Sequence, residues 1–221
     1  QYLPDAFVPA FSCRGPVLLE RWVDGEVIGH TQPGEAHLRE AGRLLTGVHA
    51  IPVVAGQPMH QRESTAAWRN EAEQSLAMIV AAGEFDAQEA QRVREMLARL
   101  DPGRAPVGLT HVDFCGENML IDRGHRLRVF DNDRVRIGPL GFDLARARYR
   151  WALEPAAWTC FRDAYAGGPW SAEALGTLGF WEVMAVVKSA IFRLRTDPAL
   201  VRIPATRLRQ LAHGQGLGGG Q

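Results

Sequence analysis

The chain has 221 residues, 46% of them hydrophobic, and its 25 basic and 25 acidic side chains give a formal net charge of zero. That length supports one globular unit with a sizeable core, or one domain plus part of another, and the balanced charge carries no electrostatic footprint for nucleic acid or an anionic membrane surface. No apolar run approaches the about 18 residues of a membrane span, and Cys13, Cys115 and Cys160 are too scattered for a C-x-x-C metal or redox site, so a reduced, cytoplasmic protein is expected.

The opening stretch, QYLPDAFVPAFSCRGP, lacks the basic-then-apolar pattern of a secretory leader. A chain that opens on Gln1 rather than Met is expected to be part of a longer product. Residues 17–26, VLLERWVDGE, read as a strand ending in an Asp-Gly turn. Leu38, Ala41, Leu44, Leu45 and Val48 then recur at helical spacing. They predict an amphipathic helix that starts near Pro33 and stops before Pro52. Residues 56–63 read as a polar loop. Helices are expected over 65–82 and 86–100, the second opened by Asp86 with Glu89 three residues on, a capping-box pattern. DPGRAP breaks the chain. From Val107 the pattern turns β-like: VGLTHVDF and ENMLID flank a loop, and RLRVFD is a further short run. DLARARYRWAL returns to helix, with Asp143 as its N-cap. Further helices are expected over 155–166, 172–195 and 205–213. The tail GQGLGGGQ is a flexible end and not a phosphate loop.

Two stretches carry chemistry. In THVDFCGENMLID (110–122), Asp113 and Asn118 lie five apart with Gly116 between them, which lets the backbone turn tightly enough to bring both side chains to one side. A carboxylate with an amide oxygen is a hard-oxygen set, suited to Mg2+ rather than zinc. In DNDRVRIGPLGFD (131–143), Asp131 and Asp133 follow an apolar pair at the end of a β-like run. Asp, Asn and Gly are also the ordinary residues of turns, so the first loop alone is weak evidence. Its order with the apolar-Asp and with Asp143 is what makes it informative.

HVDFCGEN, then VFDND, then GFDLA resembles the aminoglycoside phosphotransferase family, the small-molecule branch of the protein-kinase-like fold, whose pattern is H-G-D-x-x-x-x-N, hydrophobic-Asp, Gly, then Asp-Leu-Ala. The match is specific from the first loop to Asp143 and loose over residues 17–211. The resemblance implies a mainly helical α+β fold, the C-terminal lobe of a protein-kinase-like fold with most of the N-terminal lobe absent. It divides the chain into the end of that lobe and a hinge strand (1–23), a helical catalytic lobe (24–213) and a tail (214–221). Asp113 would be the catalytic base toward a substrate hydroxyl. Asn118 and Asp131 would hold Mg2+, His111 would brace the loop and Asp143 would tie it to the following helix. Asp133 would either support the metal ligands or be plain loop. The backbone from Arg21 to Val23 would meet the adenine edge of ATP, with GTP not excluded. The chain departs from the pattern at Val112, where glycine is usual, and at Phe114-Cys115, Asn132 and Pro139-Leu140. None of these removes a group the chemistry needs.

The family's nucleotide lysine is a strand residue before the hinge. Here the one lysine is Lys188, in a late helix, and there is no Walker A pattern. The lysine is therefore expected in a lobe preceding Gln1; the other reading is a single lobe acting as a scaffold. In the late segment the aromatics (Trp151, Trp158, Phe161, Tyr165, Trp170, Trp181) are expected to be core and the arginines of RARYRWALE a solvated face. Carboxylates are few there, so a strongly cationic acceptor is disfavoured against a neutral or mixed-charge one. The expectation is an ATP- and Mg2+-dependent kinase acting on a hydroxyl of a small antibiotic or metabolite, with no nucleic-acid or membrane partner and no reading of oligomeric state. Its rival is a non-catalytic kinase-like lobe that binds a small molecule or a partner.

Overall fold

The computed structural model describes residues 10–14, 17–20, 22–29, 33–52 and 61–214. In chain order the elements are β1 (Ala10–Arg14), β2 (Val17–Glu20), β3 (Gly25–Val27), α1 (Glu35–His49), β4 (Gln61–Ser64), α2 (Ala66–Ala81), α3 (Ala87–Leu100) and β5 (Arg104–Thr110). They continue with β6 (Met119–Asp122), β7 (Leu127–Val129), β8 (Arg136–Pro139), α4 (Leu140–Trp151), α5 (Pro155–Tyr165), α6 (Ser171–Gly176), α7 (Leu178–Thr196) and α8 (Arg202–Ala212). The strands form three small antiparallel sheets, ordered β1-β2, β3-β6-β7 and β4-β5-β8. Helices therefore carry most of the core.

That core has two parts, and α4 separates them. Phe142 and Ala145 of α4 pack with α2, α3, α7 and α8 around Leu76, Ile79, Phe180 and Trp181. Leu140, Leu144, Ala147 and Trp151 of the same helix pack with α1, α5 and the Phe114–Met119 region. A helix buried on two faces is held without rotational freedom, so its remaining side chains have fixed directions. On the second side α1 buries Leu38, Ala41, Leu45 and Val48, four of the five residues of the helical period, with Leu44 half-buried against the same core. It meets α5 closely at Gly42, where a Cβ would collide with the Phe161 carbonyl. The aromatics Trp151, Trp158, Phe161, Tyr165 and Trp181 are core, as expected, whereas Trp170 is only half-buried against it.

The capping box is present: Glu89 N–H donates to Asp86 Oδ1 at 2.7 Å, and Asp86 N–H donates to Glu89 Oε2 at 2.9 Å. Other expectations are corrected. The helix expected over 172–195 is two, α6 and α7, broken at Thr177. There Gly176 weakens the helix, and Thr177 and Trp181 crowd the backbone of Gly141 on α4. The loop expected over 56–63 becomes strand β4 from Gln61; residues 56–60 of that expectation lie outside the described residues. The Asp-Gly turn leads into β3, and β8 adds a strand where the sequence shows no β pattern. These three strands are short sheet edges with polar sequence, so no apolar alternation announces them. Asp143 is not the N-cap of α4: that position is Pro139, and Asp143 lies inside the first turn with its side chain turned to other donors.

Lys188 pairs with Glu71 and lies 4.5 Å from the Trp68 ring centre, between α7 and α2. Among the described residues no helix is long and apolar enough to cross a membrane. Gly42→Val is expected to lower unfolding stability by about 1–3 kcal/mol, because overpacking at the α1–α5 contact outweighs the gain in helix propensity. Urea unfolding measures it; an unchanged midpoint contradicts the close approach.

Candidate active site

Strand β5 delivers the chain to a sharp loop, His111–Cys115, followed by a single 3-10 turn, Gly116–Asn118, and β6. The loop is held from α4. The Asp143 carboxylate accepts from the backbone N–H of His111 at 2.7 Å and of Val112 at 2.6 Å. It also lies 3.1 Å from His49 Nε2 at the end of α1. An ionised carboxylate has no proton to give, so His49 Nε2 is the donor. His49 Nδ1 is then an acceptor, 2.8 Å from the Tyr165 hydroxyl at the end of α5. Burial pushes the Tyr165 phenol up, with the Asp143 charge adding to it, so Tyr165 keeps the proton it donates. Burial would by itself raise the Asp143 carboxyl. The His49 hydrogen bond, the electrostatic influence of the His49 and His111 rings and the His111 N–H outweigh it and hold the group below the ordinary carboxylate value.

Asp143 also explains Val112. This residue has φ of 70°, in the left-handed region, and is the position where the resemblance expects glycine. A non-glycine residue there costs about 1–2 kcal/mol. Two backbone N–H bonds to a buried carboxylate, about 1.5–3 kcal/mol each, exceed that cost. The Val112 carbonyl is held as well, accepting from Arg146 Nε at 3.3 Å.

Asp113 is buried, 6% exposed. Three guanidinium groups surround its carboxylate: Arg146 Nη2 donates to Oδ1 at 3.2 Å, Arg134 Nη1 is 3.6 Å from Oδ2, and Arg150 Nε is 3.9 Å from Oδ1. Arg150 also pairs with Glu117. Burial works against the charge of Arg150, but Asp113, Cys115 and Glu117 outweigh it and raise its pKa. At Arg146 burial wins and lowers it despite Asp113. The neighbouring Cys115 thiol is pushed up to about 11 by burial and by Asp113, which keeps it protonated and unreactive.

Asn118 Nδ2 donates to the Asp113 carbonyl at 2.9 Å, so Oδ1 is its atom available to a cation. The Phe130 N–H donates to the Asn118 carbonyl at 3.0 Å, continuing the β6–β7 register. Asp131 follows directly, with φ of 58° turning the chain out of the strand. Asn118 and Asp131 therefore leave the sheet at the same end. Among the described residues no group of three or more His, Cys, Asp or Glu could hold a metal ion. Asp133 is half exposed, and its ion pair is with Arg134 at 4.0 Å. His111 Nε2 is 3.2 Å from Asn132 Oδ1, linking the two loops.

Of the hinge residues, Val23 lies in the segment before β3, and Arg21 lies outside the described residues. The chain after Val23 docks on the loop: Ile28 N–H donates to the Met119 carbonyl and Gly29 N–H to the Gly116 carbonyl, each at 2.9 Å. A Cβ on Gly116 would collide with the Gly29 carbonyl, so only glycine permits this contact.

The arginines are the part that sequence reasoning missed. Arg146 and Arg150 are not a solvated face; they meet Asp113. A signal is present in the sequence. Asp143, Arg146 and Arg150 stand at i, i+3 and i+7 and share one helix face, so a helix whose Asp143 faces the loop aims these arginines at it too.

Three known proteins show what the chain is similar to. The homoserine kinase of Methylobacterium sp. (strain 4-46) is 29% identical over 145 residues, 64% of this chain and 44% of that protein. The chain thus spans less than half the length of the curated relatives it matches. The choline kinase of Streptococcus pneumoniae superposes with a TM-score of 0.67 at 9% identity, over 95% of this chain and 75% of that one. The macrolide 2'-phosphotransferase of Brachybacterium faecium gives 0.62 at 20% identity, over 94% and 74%. These likenesses establish the α+β kinase-like fold. Residues 8–175 match the phosphotransferase enzyme family, and with that match covering well over half of its length the chain belongs to that family.

Proposed function

We propose that the protein is a kinase that transfers the γ-phosphoryl group of ATP to a hydroxyl of a small molecule, a metabolite or an antibiotic. The observation that carries the proposal is a buried carboxylate, Asp113, whose own carbonyl is hydrogen-bonded to Asn118, with Asp131 at the same end of the β6–β7 pair. Hard oxygen donors from an amide and a carboxylate suit Mg2+, which usually keeps other positions for water and phosphate. Asn118 Oδ1 and the Asp131 carboxylate would hold it. Bound there, Mg2+ supplies charge neutralisation on the phosphate oxygens.

The chain's own residues do the rest. Arg146 fixes Asp113 Oδ1, leaving Oδ2 to accept the hydroxyl proton as the acceptor oxygen attacks. Asp143 positions the loop, His111 links it to Asn132, and Asp133 serves the loop only through Arg134. The backbone from Arg21 to Val23 would border the nucleotide base. Residues 1–23 are assigned to the end of an N-terminal lobe and the hinge, 24–213 to the catalytic lobe and 214–221 to a tail. Lys188 is committed to Glu71, so the nucleotide lysine is assigned to residues outside these 221. The 44% coverage of the homoserine kinases supports that assignment.

Asp113→Asn is expected to reduce ADP release with Mg-ATP and an accepted hydroxyl compound by more than about 100-fold, with acceptor binding retained. Activity within a few-fold of wild type refutes the assignment. Asp143→Asn tests the loop. Because the folded carboxyl lies below its ordinary value, its stabilisation is full above an unfolded pKa of about 4 and is lost as pH falls through the lower folded value. The variant is expected to be about 1–3 kcal/mol less stable near neutrality, with the gap narrowing below about pH 4 in pH-dependent urea unfolding. A gap that persists unchanged in acid contradicts an ionised Asp143. Intact-mass analysis of the native protein is expected to give a chain longer than these 221 residues; a mass matching them removes the assigned N-terminal lobe.

A further inference from the structure

The side chains closing over Asp113 carry information about the acceptor. Arg146 is nearly buried and doubly committed, to Asp113 Oδ1 and to the Val112 carbonyl. Arg134 and Arg150 are different. Arg134 is half exposed, and its two ion pairs, 3.6 Å to Asp113 Oδ2 and 4.0 Å to Asp133, are both beyond hydrogen-bond length. Arg150 is partly exposed, bonds Glu117, and faces Asp113 at 3.9 Å without a hydrogen bond. Each guanidinium has five N–H donors in a planar fork. Both therefore bring positive charge beside Asp113 with donors still uncommitted.

Oδ2, the oxygen that must meet the acceptor hydroxyl, is the one Arg134 covers. An acceptor whose hydroxyl meets Oδ2 therefore comes in beside the Arg134 guanidinium. A cationic acceptor would do so against the repulsion of two guanidinium groups. A neutral one would gain no charge pairing from them. An acceptor that carries its own carboxylate gains an ion pair with donors that are not committed elsewhere, and its two oxygens match the guanidinium fork.

We infer that the acceptor is a hydroxy acid or hydroxy amino acid whose carboxylate is received by Arg134 and Arg150 while its hydroxyl meets Asp113 Oδ2. This rests on the kinase reading above. It goes further by naming the charge class of the substrate and the two residues that select it. It runs against polycationic acceptors, which three arginines around the base would repel.

The test uses the full-length protein and four primary alcohols: 4-hydroxybutyrate, its neutral amide, L-homoserine and choline. With Mg-ATP, kcat/KM is expected to be at least about 10-fold higher for an acceptor bearing a carboxylate than for the neutral amide, the discrimination of a charge-assisted hydrogen bond. Arg134→Gln and Arg150→Gln are expected to raise the KM of that acceptor about 10-fold with kcat much less affected, and so to shrink the preference for the carboxylate over the amide to within a few-fold. Melting temperatures with each acceptor and no nucleotide provide a second readout, in which only carboxylates stabilise the wild type. Equal use of amide and carboxylate, preference for choline, or variants that raise the KM of ATP instead of the acceptor overturn the inference; the last would make the arginines phosphate ligands. A carboxylate-specific thermal shift without turnover upholds the anion site and refutes the kinase reading. No shift and no turnover refutes both. The comparison of acid with amide on the wild type stands even if a variant fails to fold.

Discussion

The Asp143 carboxylate accepts hydrogen bonds from the backbone of His111, the backbone of Val112 and the ring of His49. Those donors belong to the candidate catalytic loop and to α1, and Tyr165 extends the chain of bonds to α5. One fully buried charge thus joins three helices and a loop. It is buried at the cost of its hydration, and such a charge persists only when its acceptor sites are filled. The requirement is reciprocal: the loop cannot leave without stripping Asp143 of its donors, and α4 cannot turn without releasing the loop. Because α4 is packed on both faces, the position of Asp143 is set by the two cores.

This arrangement accounts for a backbone that the local sequence does not favour. Val112 holds a left-handed conformation that glycine would adopt at less strain. Its N–H is taken by Asp143 and its carbonyl by Arg146, so both ends of the strained residue are tied to α4. The same peptide places Asp113 among Arg134, Arg146 and Arg150. Loop strain and site electrostatics are two results of one helix face, occupied in turn by Asp143, Arg146 and Arg150.

Much of this is legible in the amino-acid sequence. The order of Asp113, Asn118, Asp131 and Asp143 points to the family, and the periods of α1 and α3 locate their buried faces because amphipathic helices write their burial into spacing. Short edge strands do not, which is why the segments of β3, β4 and β8 resemble turns and loops. The break at Thr177 follows Gly176, a weak local signal, and lies where Thr177 and Trp181 close on Gly141 of α4, contacts between residues far apart in sequence that no local pattern shows. Asp143 resembles an N-cap because a cap and a first-turn acceptor share residue type and position; only the location of the backbone donors separates them. The arginines mislead because a basic run on a helix is usually solvated, and the clue lies in their phase relative to Asp143 rather than in their number.

A structure of the full-length protein with Mg2+ and a non-hydrolysable ATP analogue tests the central claim most directly. The account predicts a cation coordinated by Asn118 Oδ1 and the Asp131 carboxylate, with the terminal phosphate facing Asp113 Oδ2 and the loop unchanged on Asp143. A nucleotide bound away from this loop, or a cation that uses neither Asn118 nor Asp131, would contradict it.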